Sequence, residues 1–232
     1  MATRQKLTKQ QMKQDKFITL VFRAQEYFTG HTSKFLLGIG AIVVIAIAVF
    51  LITSQGQTKA REANDILGRA SVEFRSGNFQ LAAVDFQNIL DNFGGTESAK
   101  LASYYIANAY FNLENYDQAE EYFRLHYDKY RYDDMLSANA LAGIGHCLRA
   151  KGLMKEAADE FFEVYQKYPD SYIVPDCLFI GAKSYASADD REDARKLYDI
   201  YVKIPGQGQR ALELEQYLVE HGVLESTTSN YD

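Results

Sequence analysis

The chain is poor in cysteine, proline and tryptophan: its 232 residues include two cysteines, three prolines and no tryptophan. Two cysteines exclude a disulfide framework, which needs several bridges. In the helical register described below, Cys147 and Cys177 fall at different heights on neighbouring helices, beyond the reach of one bridge. We therefore expect two buried thiols that act as small apolar side chains, and no internal disulfide.

Catalytic and metal-binding motifs are also missing. None of the four histidines stands at ligand spacing from another histidine or a cysteine, so a zinc site has no support. The sequence contains no Walker loop, no G-x-G-x-x-G and no G-x-S-x-G. The carboxylate pairs Asp133-Asp134 and Asp189-Asp190 fit a helix start and a turn, where acidic groups favour the helix dipole. We predict a protein that is not an enzyme and uses no cofactor, metal or small-molecule substrate.

Positive charge is scarce in the larger part of the chain. Residues 55–232 carry 18 basic and 29 acidic side chains, whereas residues 1–34 carry seven basic and two acidic ones. The acidic part argues against nucleic-acid binding, which needs basic clusters to replace phosphate counterions. The asymmetry indicates two compartments or a membrane contact.

Residues 35–53, FLLGIGAIVVIAIAVFLIT, contain no charge, and 13 of the 19 are Phe, Leu, Ile or Val. As a helix this run spans about 28 Å, close to the hydrocarbon thickness of a bilayer. Seven Lys or Arg residues precede it, and only Lys59 and Arg61 follow closely. The positive-inside rule then predicts a single-pass membrane protein with a cytoplasmic N-terminus and a translocated C-terminal domain.

Two other interpretations of this run are weaker. A buried core helix would need apolar surroundings that no other segment supplies. A cleaved signal peptide would have a shorter apolar run and a shorter leader, although Ser54-Gln55-Gly56 leaves cleavage open.

A helical stripe precedes the predicted span. It consists of Phe17, Leu20, Val21, Ala24 and Phe28. Basic side chains lie off this stripe, which favours a short helix on the inner leaflet. A docking helix for a membrane partner is the alternative.

Four segments of the remaining chain share one pattern. Their anchor alanines are Ala82, Ala119, Ala157 and Ala194. Four positions later stand Phe86, Phe123, Phe161 and Tyr198. Twelve positions earlier stand Ala70, Ala107, Gly145 and Ala182. A small residue lets two helices approach, and an aromatic side chain from the next helix fills the gap.

Each segment is therefore predicted to be a helix pair closed by a turn. The turns fall at 76–78, 114–115, 151–152 and 188–189. A single pair cannot bury its apolar face, so the pairs must stack into a right-handed solenoid. The stripe at Ala211, Leu214, Tyr217 and Leu218 predicts a terminal capping helix. An ordinary helical bundle is the less favoured alternative.

These residues resemble the tetratricopeptide repeat, although the intervals of 37 or 38 exceed its usual 34 residues. The resemblance implies an all-α fold of about four helix pairs, with a concave groove lined by the first helices. Transferring the groove by offset gives Leu67, Phe74, Tyr104, Asn108, Phe111, Asn112, His146, Arg149, Phe179 and Lys183. Aromatic groups among polar ones suit extended or partly unfolded polypeptide.

The layout divides into a basic segment 1–34, a span 35–53, a repeat domain 54–224 and a disordered tail 225–232. It resembles the YfgM-like ancillary subunits of the bacterial SecYEG translocon. That resemblance implies a protein of the bacterial inner membrane with a periplasmic C-terminal domain. It also implies an adaptor or holdase whose partners are translocon subunits, periplasmic chaperones and exported polypeptides. A scaffold in envelope division or outer-membrane assembly, like Tol-Pal-associated proteins with similar repeats, is the alternative.

Overall fold

The structure is a computed structural model that describes residues 18–20, 22 and 32–225. All regular secondary structure in these ranges is helical. The chain divides into two compact units, Met1–Gln57 and Thr58–Asp232. The first described long helix, α1 (Thr32–Arg75), has residues in both.

The first unit contains the apolar part of α1. Its described side chains between residues 37 and 50 are exposed, and they include Leu37, Ile42 and Phe50. Among the described residues, this is one helix long and apolar enough to cross a membrane, judged by length and composition. The leader helix and the disordered tail that the sequence predicts both lie outside the described residues, apart from 18–20, 22 and Glu225.

The second unit consists of antiparallel helices that follow the end of α1. They are α2 (Phe79–Phe93), α3 (Glu97–Asn112), α4 (Tyr116–Lys129), α5 (Asp134–Ala150), α6 (Met154–Lys167), α7 (Val174–Ser187), α8 (Arg191–Tyr201) and α9 (Gly208–Glu220). Each helix from α3 to α8 packs against the one before it. The odd-numbered helices up to α7 are the first helices of four repeats, and the even-numbered ones are the second helices.

Local sequence sets the helix boundaries. The side chains of Thr96, Asn115, Asp133 and Asp190 each accept a hydrogen bond from the backbone N–H three residues on. Such caps satisfy one of the otherwise unpaired first-turn donors. The predicted helix start at Asp133-Asp134 is confirmed, and the chain turns between helices at all four predicted places.

The predicted contact of small against large residues holds the repeats together. All four anchor alanines are fully buried, as are Phe86 and Phe161. A Cβ placed on Gly145 would lie 3.0 Å from the Phe161 ring, and one on Gly143 would lie 2.6 Å from the Phe123 ring. Glycine at these two positions therefore lets aromatic rings pack directly on the helix backbone.

The last helix closes one end of the array. Leu214 and Leu218 of α9 are fully buried, and α9 packs on α7 and α8. The predicted all-α solenoid of four tetratricopeptide-like helix pairs with a C-terminal capping helix is thus confirmed. Both cysteines are buried and free, and burial raises the pKa of each thiol to about 12.

Candidate functional site

A cleft of about 220 Å³ lies across three successive first helices. Its lining comprises Tyr104, Asn108 and Phe111 of α3, Asn139, Ala142, Gly143 and His146 of α5, Asp176, Cys177 and Ile180 of α7 with the preceding Ile173, and Phe123 of α4. Residues three or four apart share a helix face, so each first helix presents one such stripe. The cleft is therefore formed by corresponding faces of the first helices of three successive repeats.

Aromatic rings form one wall of the cleft. The His146 ring lies 4.9 Å from the Phe161 ring and 6.4 Å from the Phe111 ring, both edge to face. Burial lowers the pKa of His146, because the charged imidazolium would lose its hydration. At neutral pH this wall is consequently uncharged.

Amides and one carboxylate supply the polar groups. The side chain of Asn108 donates to the Tyr104 carbonyl at 2.9 Å, and that of Asn139 donates to the Met135 carbonyl at 2.8 Å. Asp176 accepts from Arg210 of α9 at 2.5 Å, and this contact balances its charge. The cleft thus offers half-buried rings and amides with little net charge.

The structure brings four of the predicted groove residues into this cleft: Tyr104, Asn108, Phe111 and His146. Leu67 and Phe74 instead pack in the first repeat, where Leu67 is buried and the Phe74 ring contacts Phe79, Phe86 and Tyr105. Asn112 and Arg149 are exposed and lie outside the cleft lining.

Phe179 and Lys183 lie against α9. The Arg210 guanidinium is 4.6 Å from the centre of the Phe179 ring. The Lys183 ammonium is 4.5 Å from the centre of the Tyr217 ring and 3.4 Å from Glu213. These two side chains therefore belong to the junction with the capping helix.

Several lining residues were not identified from the sequence. They are Asn139, Ala142, Gly143, Ile173, Asp176, Cys177, Ile180 and Phe123. Asn139 and Asp176 share one register, eighteen residues before their anchor alanines. A polar side chain therefore recurs one turn before the register of Tyr104 and Phe179, and this recurrence was the sequence signal that could have identified Asn139 and Asp176.

Comparison with known proteins agrees with this architecture. The tetratricopeptide repeat family matches residues 67–134. TPR-like repeats of a kinesin light chain candidate from Podosopora anserina superpose with a TM-score of 0.50 at 15% identity, covering 75% of this chain and 99% of that one. Pseudomonas aeruginosa pilF gives a TM-score of 0.42 at 13% identity, covering 70% and 85%. A search of curated proteins finds no match.

The fold and the cleft define a helical-repeat scaffold with a concave cleft on its first helices. More particularly, the family match finds a tetratricopeptide repeat in residues 67–134, and the first structural likeness shows that the fold is TPR-like.

Proposed function

We propose that this protein is a membrane-anchored adaptor and holdase that binds extended segments of polypeptide in the cleft between α3, α5 and α7. The observation that carries the proposal is the cleft of rings and amides on three successive first helices, in which the one carboxylate, Asp176, is paired with Arg210. Its volume of about 220 Å³ lies below the 300–1,000 Å³ typical of sites for drug-sized molecules. Side chains of a polypeptide fit this space better than a large cofactor does.

The apolar segment 35–53 anchors the protein in the bacterial inner membrane. The excess of Lys and Arg before the segment supports a cytoplasmic N-terminus and a periplasmic repeat domain. An anchor of this kind raises the effective concentration of the cleft near the site where polypeptides leave the membrane.

The partners we propose are translocon subunits, periplasmic chaperones and exported polypeptides. This part rests on the combination of a basic leader, one apolar segment and an acidic repeat domain, which resembles ancillary translocon subunits. Affinity purification of the full chain in mild detergent tests it. Enrichment of translocon subunits supports the proposal, whereas enrichment of division or outer-membrane assembly proteins would replace it with the scaffold function.

Client binding tests the cleft itself. Asn108→Ala with Asn139→Ala removes two amides that can bond an extended backbone, and each lost hydrogen bond is worth about 1 kcal/mol. We expect about tenfold or greater weakening for a reduced, carboxymethylated protein that cannot fold. Asn112→Ala, which removes an exposed amide of α3 outside the cleft, is the matched control. Equal affinity of the double variant and the control would contradict the proposal.

The orientation can be tested with an introduced cysteine. Cys147 and Cys177 are buried, and their raised pKa suppresses the reactive thiolate. Asn92→Cys places a thiol at an exposed position of α2. In intact spheroplasts, a membrane-impermeant maleimide should label this variant and leave the parent unlabelled. Labelling only after lysis would reverse the proposed orientation.

A further inference from the structure

The first repeat has an open side that the later repeats do not have. Val72 of α1 is 51% exposed. The residues at the same register in the next three repeats, ten before the anchor alanine, are Ala109, Cys147 and Ser184, and all three are buried. In those repeats the first helix packs against the second helix of the preceding repeat. No described residue takes that place beside α1.

Gly68 lies one turn before Val72 and shares its face. At the same register, fourteen residues before the anchor, the next two repeats have Tyr105 and Gly143. The Phe86 ring of the preceding second helix stacks on Tyr105 at 5.8 Å. The Phe123 ring lies against Gly143, as described above. This register is therefore where the molecule receives an aromatic ring from a preceding helix.

The same position in the first repeat is empty space. A Cβ on Gly68 would meet nothing within 4 Å. Glycine is a poor residue for the interior of a helix, and nothing in the described fold requires one here. The uncovered backbone of Gly68 beside the exposed Val72 side chain is thus an unoccupied site for an aromatic ring, which we call the socket.

The first repeat also has two exposed apolar side chains on α2. Leu81 and Val84 are 52% and 58% exposed. The residues at the Leu81 register in the later repeats are Gln118, Glu156 and Asp193. Those at the Val84 register are Glu121, Asp159 and Lys196. The first repeat thus departs from the polar surface of the others, although the outer face of a terminal repeat is normally polar.

We propose that this open face of α1, formed by Gly68 and Val72, docks an amphipathic helix of a partner protein. The helix carries a phenyl ring four residues after a small residue, because the chain's own second helices cover the equivalent surfaces with that pattern. A second copy of this chain does not fit as well. In a symmetric dimer the two open faces would meet, and neither would supply the aromatic ring that the other lacks.

The probe is a synthetic peptide with the sequence of residues 116–129, α4, stapled on its polar face because so short a helix is marginal alone. We expect saturable binding to the full chain in detergent. Phe123→Ala in the peptide, or Gly68→Arg or Val72→Glu in the protein, should weaken binding at least tenfold. Leu212→Glu, at a position 67% exposed on α9, is the matched control and should change nothing.

Several outcomes would overturn the proposal. One is the absence of saturable binding, and another is equal binding by the Phe123→Ala peptide or by the Gly68→Arg protein. A dimer seen by sedimentation and lost in Gly68→Arg would make a second copy the occupant. Binding that appears only after removal of residues 1–31 would make the leader the occupant. Asn108→Ala with Asn139→Ala should leave binding intact, which separates this face from the cleft.

Discussion

His126 is a fully buried histidine with one unpaired ring nitrogen. Its Nδ1 lies 2.9 Å from the Ser103 hydroxyl and 3.2 Å from the Lys100 carbonyl. The Ser103 hydroxyl already donates to the Lys100 carbonyl, so both neighbours of Nδ1 can accept and Nδ1 carries the proton. Nε2 is then a buried lone pair, without a partner in the described part of the chain. A second proton would bring an unpaired donor and a charge into the core.

We expect stability to fall in acid for this reason. Burial lowers the folded-state pKa of His126 below its ordinary value near 6.5. The unfolded chain therefore takes up the proton first, and the stabilisation present above about pH 6.5 is lost as pH falls towards the folded-state value. His146, whose pKa is lowered in the same direction, adds to the effect.

Urea unfolding at pH 7.5, 6.5 and 5.5 measures this slope. The double variant His126→Asn with His146→Asn should have lower stability at pH 7.5 and a flatter slope. His221→Gln, at an exposed position, should keep the wild-type slope. A wild-type midpoint that does not change across this range would contradict the assignment.

At the scale of secondary structure, the four turns within the repeats share one backbone feature. Gly77, Glu114, Gly152 and Asp189 all have positive φ, between 58° and 82°. Only glycine adopts this region without steric cost, which for other residues is about 1–2 kcal/mol. Two repeats therefore carry strain in their turns that the other two avoid.

Exchanging residue types at these turns should shift stability in opposite directions. Glu114→Gly should stabilise the fold by up to about 1 kcal/mol, and Gly152→Ala should destabilise it by about 1 kcal/mol. A Cβ on Gly152 would meet nothing within 4 Å, so that cost comes from the backbone alone. Thermal unfolding measures both variants, and a loss of stability in Glu114→Gly would refute the strain.

Local periodicity explains what the sequence could predict. The anchor alanines, the turns and four cleft residues follow from spacings within one helix pair, which recur four times. Phe179 and Lys183 share the registers of Tyr104 and Asn108, yet they lie against α9 because the chain folds back after Tyr201. Leu67 and Phe74 differ for a related reason, since the cleft spans α3, α5 and α7 and does not extend to α1. Both differences depend on the ends of the array, where a repeat lacks a neighbour.

At the scale of the whole repeat array, the buried apolar side chains of the described residues form two clusters. One extends from Ala63 to Tyr130 and the other from Ala107 to Val223. Ion pairs also join neighbouring repeats, such as Lys151 with Asp117 at 2.7 Å and Arg124 with Glu160 at 3.0 Å. These side chains are partly exposed, so each pair adds at most about 1 kcal/mol. Apolar contact between adjacent repeats remains the main source of cohesion, and coupling should decline with distance along the array.

A substitution that destabilises α9 should therefore affect mainly the C-terminal end of the array. Leu218→Ala removes a fully buried side chain of α9 and should cost about 2–5 kcal/mol locally. Hydrogen exchange followed by mass spectrometry should show faster exchange in α7, α8 and α9, with little change in α2 and α3. Leu212→Ala, at an exposed position on the same helix, should alter neither region. Equal acceleration in α2 and α3 would mean that the repeats unfold as one cooperative unit, because loss of the cap would then be transmitted through every interface.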